Sequence, residues 1–599
     1  MSRLPLRPLA RILEARAKGE NPDNIERENL ARRRELGRDQ ARQMAEGRLL
    51  VLGVFFLCAF VVVGLRMGHV SVTDPREPQA SVSTTGISGG RADIVDRRGR
   101  IMATNLTTHA LYAQPPIMID PARSAEKLAE IFPDLDADAL KRRFTDGRKF
   151  LWIKRTISSE EQQAVHDIGD PGLLFGPRQM RLYPNGALAA HVLGGAGFGR
   201  EGVRSAEIEG RAGLEKALDD TLRDPTRFEP VRLSLDLAVQ DAIERVLDGG
   251  MKLMNAKAGS AILMDVHSGE VIALASLPDF DPNNRPRPLT EGDAGDSPLF
   301  NRAVQGVYEL GSTFKIFTAA QAIEEGTAHA STMVDTKGPL TWGRFKIRDF
   351  RNYGPALSVE DVIVKSSNIG TARLALGLGA ERQQDFLGDL GFFKPTPVEI
   401  IEARGAQPLL PPRWSEISTM TISYGHGLSA SPMHLAAAYS SLVNGGLVVE
   451  PTLLADQPAA PRERIISEET SAIVRDMLRK VVVRGTASLG EVEGYAVGGK
   501  TGTADKPKPT GGYYDDRVIA TFASVFPSDD PAYVLIVTLD EPVDTTGEEA
   551  RRTAGWTAVP VAAEIIRRAA PLLGLAPEIE ALPIDELRLA SNTGGQSGQ

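Results

Sequence analysis

Tyr308-Glu309-Leu310-Gly311-Ser312-Thr313-Phe314-Lys315 is the stretch on which the reading of this chain turns. Gly311 interrupts the preceding chain, and Ile316-Phe317-Thr318-Ala319-Ala320-Gln321-Ala322-Ile323 is rich in helix formers, so a helix is expected to open here. Positions three apart share one face of a helix, which sets Ser312 and Lys315 side by side. A serine hydroxyl is a poor nucleophile until a neighbouring base takes its proton. A lysine can be that base once burial or nearby positive charge lowers its pKa. The helix N-terminus also offers backbone N–H groups to a developing oxyanion.

An S-x-x-K pair recurs by chance in a long chain, and Ser124-Ala125-Glu126-Lys127 is a second one, in a polar helical run with nothing comparable around it. Two further pieces distinguish the first: Ser366-Ser367-Asn368, an S-x-N triplet, and Lys500-Thr501-Gly502-Thr503-Ala504. Each is weak alone. In this order and at domain-scale spacing, the trio resembles the motif set of penicillin-binding proteins and class A β-lactamases.

At 599 residues, 42% hydrophobic and 25% charged, the chain has a globular composition and length for two or three domains. A net charge of −9 argues against a general nucleic-acid binder. The single cysteine, Cys58, excludes an internal disulfide framework or a cysteine-based metal site, and no metal ligand set or cofactor is expected. The run Leu49 to Leu65 carries no charge and lies between Arg48 and Arg66, near the short limit of about 17–25 residues for a spanning helix. The arm before it is rich in arginine, including Arg27, Arg32, Arg33, Arg34, Arg38 and Arg42, and no small-residue cleavage site follows the run. We therefore expect an uncleaved anchor, with the N-terminus in the cytoplasm and the rest outside.

Residues 1–48 read as a basic cytoplasmic tail, 49–66 as the anchor, and 67–230 as a linker followed by an irregular α+β pedestal. Residues 231–575 read as the main domain, and 576–599 as a flexible tail. Helical patterns are expected near 122–148 and 159–168, and His191 as a structural histidine. Ser234 to Leu247 reads as a cap and an amphipathic helix. Ser260–Val266 and Glu270–Ala275 flank His267-Ser268-Gly269 as a hairpin. Ser366-Ser367-Asn368 sits between helical runs at 358–365 and 369–378. Strands are expected from Tyr495, from Arg517 to Phe526 and from Ala532 to Leu539, with a closing helix from about Val559 to Ala570. Strands at both ends with helices between them give an α+β class, an antiparallel sheet packed with helices.

With the motifs placed, the chain resembles a class B penicillin-binding protein of the division-transpeptidase (FtsI) type. The likeness extends through Arg91 to Gly99, Tyr183-Pro184, Ala190-His191, Asn301-Arg302-Ala303 and Tyr424-Gly425-His426-Gly427. The family often has proline where Leu310 stands, and Gln or Tyr where His426 stands; His426 is assigned no chemistry. The resemblance implies a serine β-lactamase-like transpeptidase fold on an elongated pedestal. It also implies a serine acyltransferase that crosslinks peptidoglycan stem peptides at the division site of the inner membrane and is acylated by β-lactams. On that resemblance Ser312 attacks the penultimate D-Ala carbonyl, and neutral Lys315 takes its proton. Ser366 relays a proton to the leaving amine, and Asn368 orients Lys315 and the substrate amide. Lys500 supplies positive charge, the hydroxyls of Thr501 and Thr503 bind the terminal carboxylate, and Gly502 lets the strand approach closely. The N–H groups of Ser312 and Thr503 form the oxyanion hole. Polymerisation falls to a partner, an FtsW-type glycosyltransferase, among other division proteins.

Three alternatives stay open at this stage. An elongation-type transpeptidase differs only by resemblance. A β-lactamase of class A needs a deacylating glutamate in an E-x-x-L-N pattern, and none stands between Asn368 and Lys500. A penicillin-binding sensor usually carries several spans and a cytoplasmic effector domain.

Overall fold

The computed structural model describes residues 90–578 except 202–205, 228, 458–461 and 509–510, and before them residue 67, residues 52–65 and most of 9–35. Both ends of the apolar run 49–66, the linker and the C-terminal tail thus fall largely outside the described residues. Within that run, residues 52–65 are helical with exposed apolar side chains such as Phe55 and Phe60. No helix among the described residues is long and apolar enough to cross a membrane. The chain divides into two compact units, Met1–Gly86 and Ile87–Gln599.

In the second unit, strands distant in sequence meet in one sheet. β1 (Ala258–Asp265) and β2 (Val271–Leu277) form the hairpin around His267-Ser268-Gly269. β3 (Gly498–Pro507), β4 (Tyr513–Phe526) and β5 (Tyr533–Asp540) join it from the C-terminal side, in the order β3-β4-β5-β1-β2, every pair antiparallel. Every residue of β2 is buried, so both faces of the sheet are covered and the strand reads as a continuous apolar run rather than an alternation. Helices α1 (Leu237–Leu253) and α7 (Ala558–Leu572) pack on each other and on the sheet, as do α5 (Pro432–Val443) and α6 (Glu468–Arg484). Between them in the chain lie α2 (Lys315–Glu324), α3 (Val359–Val364) and α4 (Asn368–Leu378). The cap of α1 is Asp236, whose carboxylate accepts from Ala238 N, and not the expected Ser234. Ser234 is buried and its hydroxyl donates to the Val271 carbonyl at 2.7 Å, tying the entry of α1 to β2.

The pedestal is built on Ile101–Ala113, which pairs antiparallel with both Leu151–Ile157 and Leu173–Leu182. Helices Pro121–Ile131, Ala137–Thr145 and Ser159–His166 form where the sequence suggested. The outer pedestal has its own core around Leu111, Leu128, Phe132, Phe144 and Ile157. The inner part does not: Ile94, Met102, Leu193 and Leu214 belong to the same core as β1 and β2. A buried ion cluster holds this joint. Glu215, fully buried, takes Arg91 at 2.5 Å and Arg181 at 2.7 Å, and Arg91 also reaches Asp219 at 2.7 Å. Asp96 accepts the Leu237 N–H at 3.1 Å, and Arg98 and Arg100 each reach Asp236 at 2.6 Å. Carboxylates in a shared core are tolerable only when paired in this way. His191 is buried edge-on to Phe280, and its carbonyl takes the Asn301 amide at 3.3 Å. Burial brings its pKa down to about 4, which suits a neutral packing residue.

Candidate active site

The nucleophile-bearing turn is tighter than a plain helix start. Gly311–Phe314 form a 3-10 turn, and α2 begins only at Lys315. Gly311 adopts φ +57°, a conformation natural to glycine. A Cβ on Gly425 would stand 1.9 Å from the Gly311 carbonyl oxygen, so the 424–427 loop packs backbone to backbone against the serine turn. From behind, Tyr439 of α5 donates to the Thr313 carbonyl at 2.7 Å. From the front, β3 closes in: a Cβ on Gly502 would meet the Leu310 carbonyl oxygen at 2.2 Å. β3 is the edge strand of the sheet, and its free side faces this turn.

Lys315 is fully buried and donates to the Ser366 carbonyl at 2.6 Å and the Ser366 hydroxyl at 2.9 Å. Lys500, equally buried, donates to the same hydroxyl at 3.0 Å and to the Thr501 carbonyl at 3.1 Å. Ser366 Oγ therefore bridges the two lysine Nζ atoms. Ser366 presents both oxygens to Lys315 from the turn between α3 and α4, where it takes φ +62°. For a non-glycine residue such a backbone costs on the order of 1–2 kcal/mol, a strain the surrounding structure must hold. Burial keeps the Lys315 pKa well below the ordinary lysine value, the charge on Lys500 pushes it further down, and Asp349 opposes both. Burial alone brings Lys500 down to about 7. An anion arriving beside Lys500 favours its charged form again.

Ser312 precedes Lys315 by three residues; among the described residues its hydroxyl makes no hydrogen bond, as catalytic contacts in unliganded sites often tighten only on binding. Asn368 opens α4 on the same turn as Ser366, but its amide donates to the Arg348 carbonyl at 3.0 Å and not to Lys315. The Thr501 hydroxyl is bonded to Thr486 at 2.7 Å, and the Thr503 hydroxyl accepts from Ala554 N at 3.0 Å. Both sit on β3, which Lys500 and Gly502 share. The other S-x-x-K pair lies in the pedestal, where Ser124 donates to Asp170 at 2.7 Å and Lys127 pairs with Glu130 at 2.7 Å.

Several participants were not singled out from the sequence. Asp349 accepts from the Ser367 hydroxyl at 2.7 Å and from Ile369 N at 3.0 Å, which fixes the turn carrying Ser366. Glu309 accepts from Gly427 N at 2.7 Å and from Tyr513 at 3.0 Å, and pairs with His426 at 3.1 Å. Burial raises its pKa, but these bonds outweigh burial and leave it lowered. Glu309 thus ties together the serine turn, the 424–427 loop and the β3–β4 hairpin. The only signal for it was proximity to Ser312; Asp349 stands in a polar loop with no spacing rule to mark it.

A buried lysine pair bridged by one serine, beside a second serine on a tight turn and an edge strand, defines an active-serine acyltransferase site. Residues 259–567 match the penicillin-binding protein transpeptidase domain, and residues 86–231 match the penicillin-binding protein dimerisation domain. The probable peptidoglycan D,D-transpeptidase FtsI of Caulobacter vibrioides is 36% identical over 548 residues, covering 89% of this chain and 90% of that protein. The probable peptidoglycan D,D-transpeptidase PenA of Neisseria gonorrhoeae is 32% identical, over 82% of this chain and 87% of its own length. Among solved structures, penicillin binding protein 3 from Mycobacterium tuberculosis, complexed with aztreonam, superposes with a TM-score of 0.61 at 26% identity, over 82% of this chain and 99% of that one. The chain belongs to the class B penicillin-binding proteins, the peptidoglycan D,D-transpeptidases of the FtsI type.

Proposed function

We propose that this protein crosslinks peptidoglycan stem peptides during septal wall synthesis, through an acyl-enzyme on Ser312. The observation that carries this reading is the Lys315–Ser366–Lys500 bridge next to Ser312. Lys315, neutral through burial, takes the Ser312 proton as the hydroxyl attacks the penultimate D-Ala carbonyl. Ser366, bonded to both lysines, passes a proton to the departing D-Ala nitrogen. Lys500 draws the terminal carboxylate to β3, where Thr501 and Thr503 line the strand and Gly502 permits close approach. The oxyanion lies against the N–H groups of Ser312 and Thr503. Asn368, free to exchange its bond to Arg348, holds the substrate amide. An amine of a neighbouring stem then takes the acyl group and restores Ser312. β-Lactams enter the same site and stay as stable adducts, because no deacylating glutamate of the E-x-x-L-N type stands in the sequence between Asn368 and Lys500.

We further propose that residues 49–66 anchor the chain in the inner membrane with residues 1–48 inside, and that it works at the septum beside an FtsW-type glycosyltransferase. Incubation of the full chain with uncrosslinked pentapeptide glycan should give crosslinked muropeptide dimers with release of one D-Ala per bond, and none with Ser312→Ala. Tetrapeptide monomers as the sole product would contradict transfer. Replacing residues 1–66 with a secretion signal should give a soluble protein with undiminished penicillin binding, measured by gel fluorescence. A folded but unreactive product would place part of the site in the removed segment.

A further inference from the structure

Beside the turn that carries Ser366 and Asn368 lies a cavity of about 560 Å³ that the chemistry above does not use. Lys337, Arg348, Arg351, Asp349, Tyr353 and Ile369 are among its walls. Three of these side chains are cationic. The one acid, Asp349, is held in the turn by the Ser367 hydroxyl and Ile369 N and offsets only one of the three cations, so the cavity keeps a net positive charge. Arg348 and Arg351 are exposed to solvent, and no carboxylate is paired with either guanidinium among the described residues. The cavity adjoins the reaction centre directly. The Arg348 carbonyl holds the Asn368 amide, and the Asp349 charge is felt by Lys315.

We propose that this cavity takes a carboxylate of the stem peptide, on the residues that precede the D-Ala pair. The inference rests on the stem-peptide reading above. Stem peptides carry free carboxylates in that part of the chain, and Asn368 is the side chain assigned to their amide. A peptide lying against Asn368 and running away from β3 therefore passes the cations of this cavity. The site confers selectivity rather than catalytic power. A β-lactam lacks the stem, and its acylation of Ser312 is independent of the cavity.

The test uses the full chain in detergent and three probes: a stem pentapeptide with free carboxylates, the same peptide with those carboxylates amidated, and benzylpenicillin. D-Ala release should be about three- to tenfold faster for the free peptide, the range two exposed ion pairs supply together. The ratio should shrink as salt is raised. In the double variant Lys337→Ala, Arg351→Ala it should fall to about one, with penicillin acylation unchanged. Should that variant fold poorly, Arg351→Gln decides on the same ratio, which is independent of the amount of active protein. Equal rates for the two peptides in the unaltered chain, or a preference that survives in the variants, would overturn the proposal. Failure of penicillin to acylate the unaltered chain would instead overturn the functional reading beneath it.

Discussion

Replacing Lys315 with arginine should lower the second-order rate of acylation by a β-lactam about 10³- to 10⁶-fold, the loss seen when one member of a proton-transfer unit is removed. Lys315 is fully buried, and burial together with Lys500 holds its pKa well below the ordinary lysine value, which favours the neutral amine that can act as a base. A guanidinium keeps the charge and gives up the base. Lys500→Arg should cost less, about ten- to a hundredfold, because its charge survives and only its geometry beside Ser366 Oγ changes. Both rates are to be measured with one β-lactam on variants whose melting curves show intact folding. Equal losses, or a larger loss for Lys500→Arg, would reverse the assignment of the base.

Gly502→Ala should reduce acylation by about a hundredfold or more, although no reacting group is altered. The added methyl would stand 2.2 Å from the Leu310 carbonyl oxygen and 2.8 Å from Thr313 Cγ2. Neither atom can retreat easily. Thr313 is pinned by its hydroxyl to Leu310 at 2.9 Å and by its carbonyl to Tyr439 at 2.7 Å. The edge strand must therefore move off the serine turn, taking Lys500 and Thr503 with it. The rest of the sheet is paired along β4 and should hold, so thermal stability should fall far less than activity. An alanine variant with unchanged acylation would show that β3 and the serine turn are less tightly coupled than their packing indicates.

The three short motifs were legible because they combine side chains that rarely serve any other joint purpose, and the structure brings Lys315, Ser366 and Lys500 from them together. The strands of the main sheet were legible from runs of Val, Ile, Leu and Ala. β4 was read from Arg517 and in fact begins at Tyr513, since Asp515 and Asp516 lie on an exposed hairpin extension where packing does not demand apolar residues. What stayed hidden was set by tertiary contact. That Ser366 is shared by both lysines depends on a left-handed backbone at a serine, which no local propensity announces. Asp349 and Glu309 act by accepting backbone and hydroxyl donors from segments far away in sequence. Short segments such as Ile94–Val95 do not announce which core they join; Ile94 and Leu214 belong to the core of the larger domain.

The most direct measurement is intact-mass analysis of the full chain with benzylpenicillin, followed by peptide mapping and a chase without drug. The account predicts one adduct per chain, on the peptide containing Ser312, persisting through the chase and missing in Ser312→Ala. Rapid loss of the adduct with turnover of the drug, or an adduct on any other residue, would contradict it.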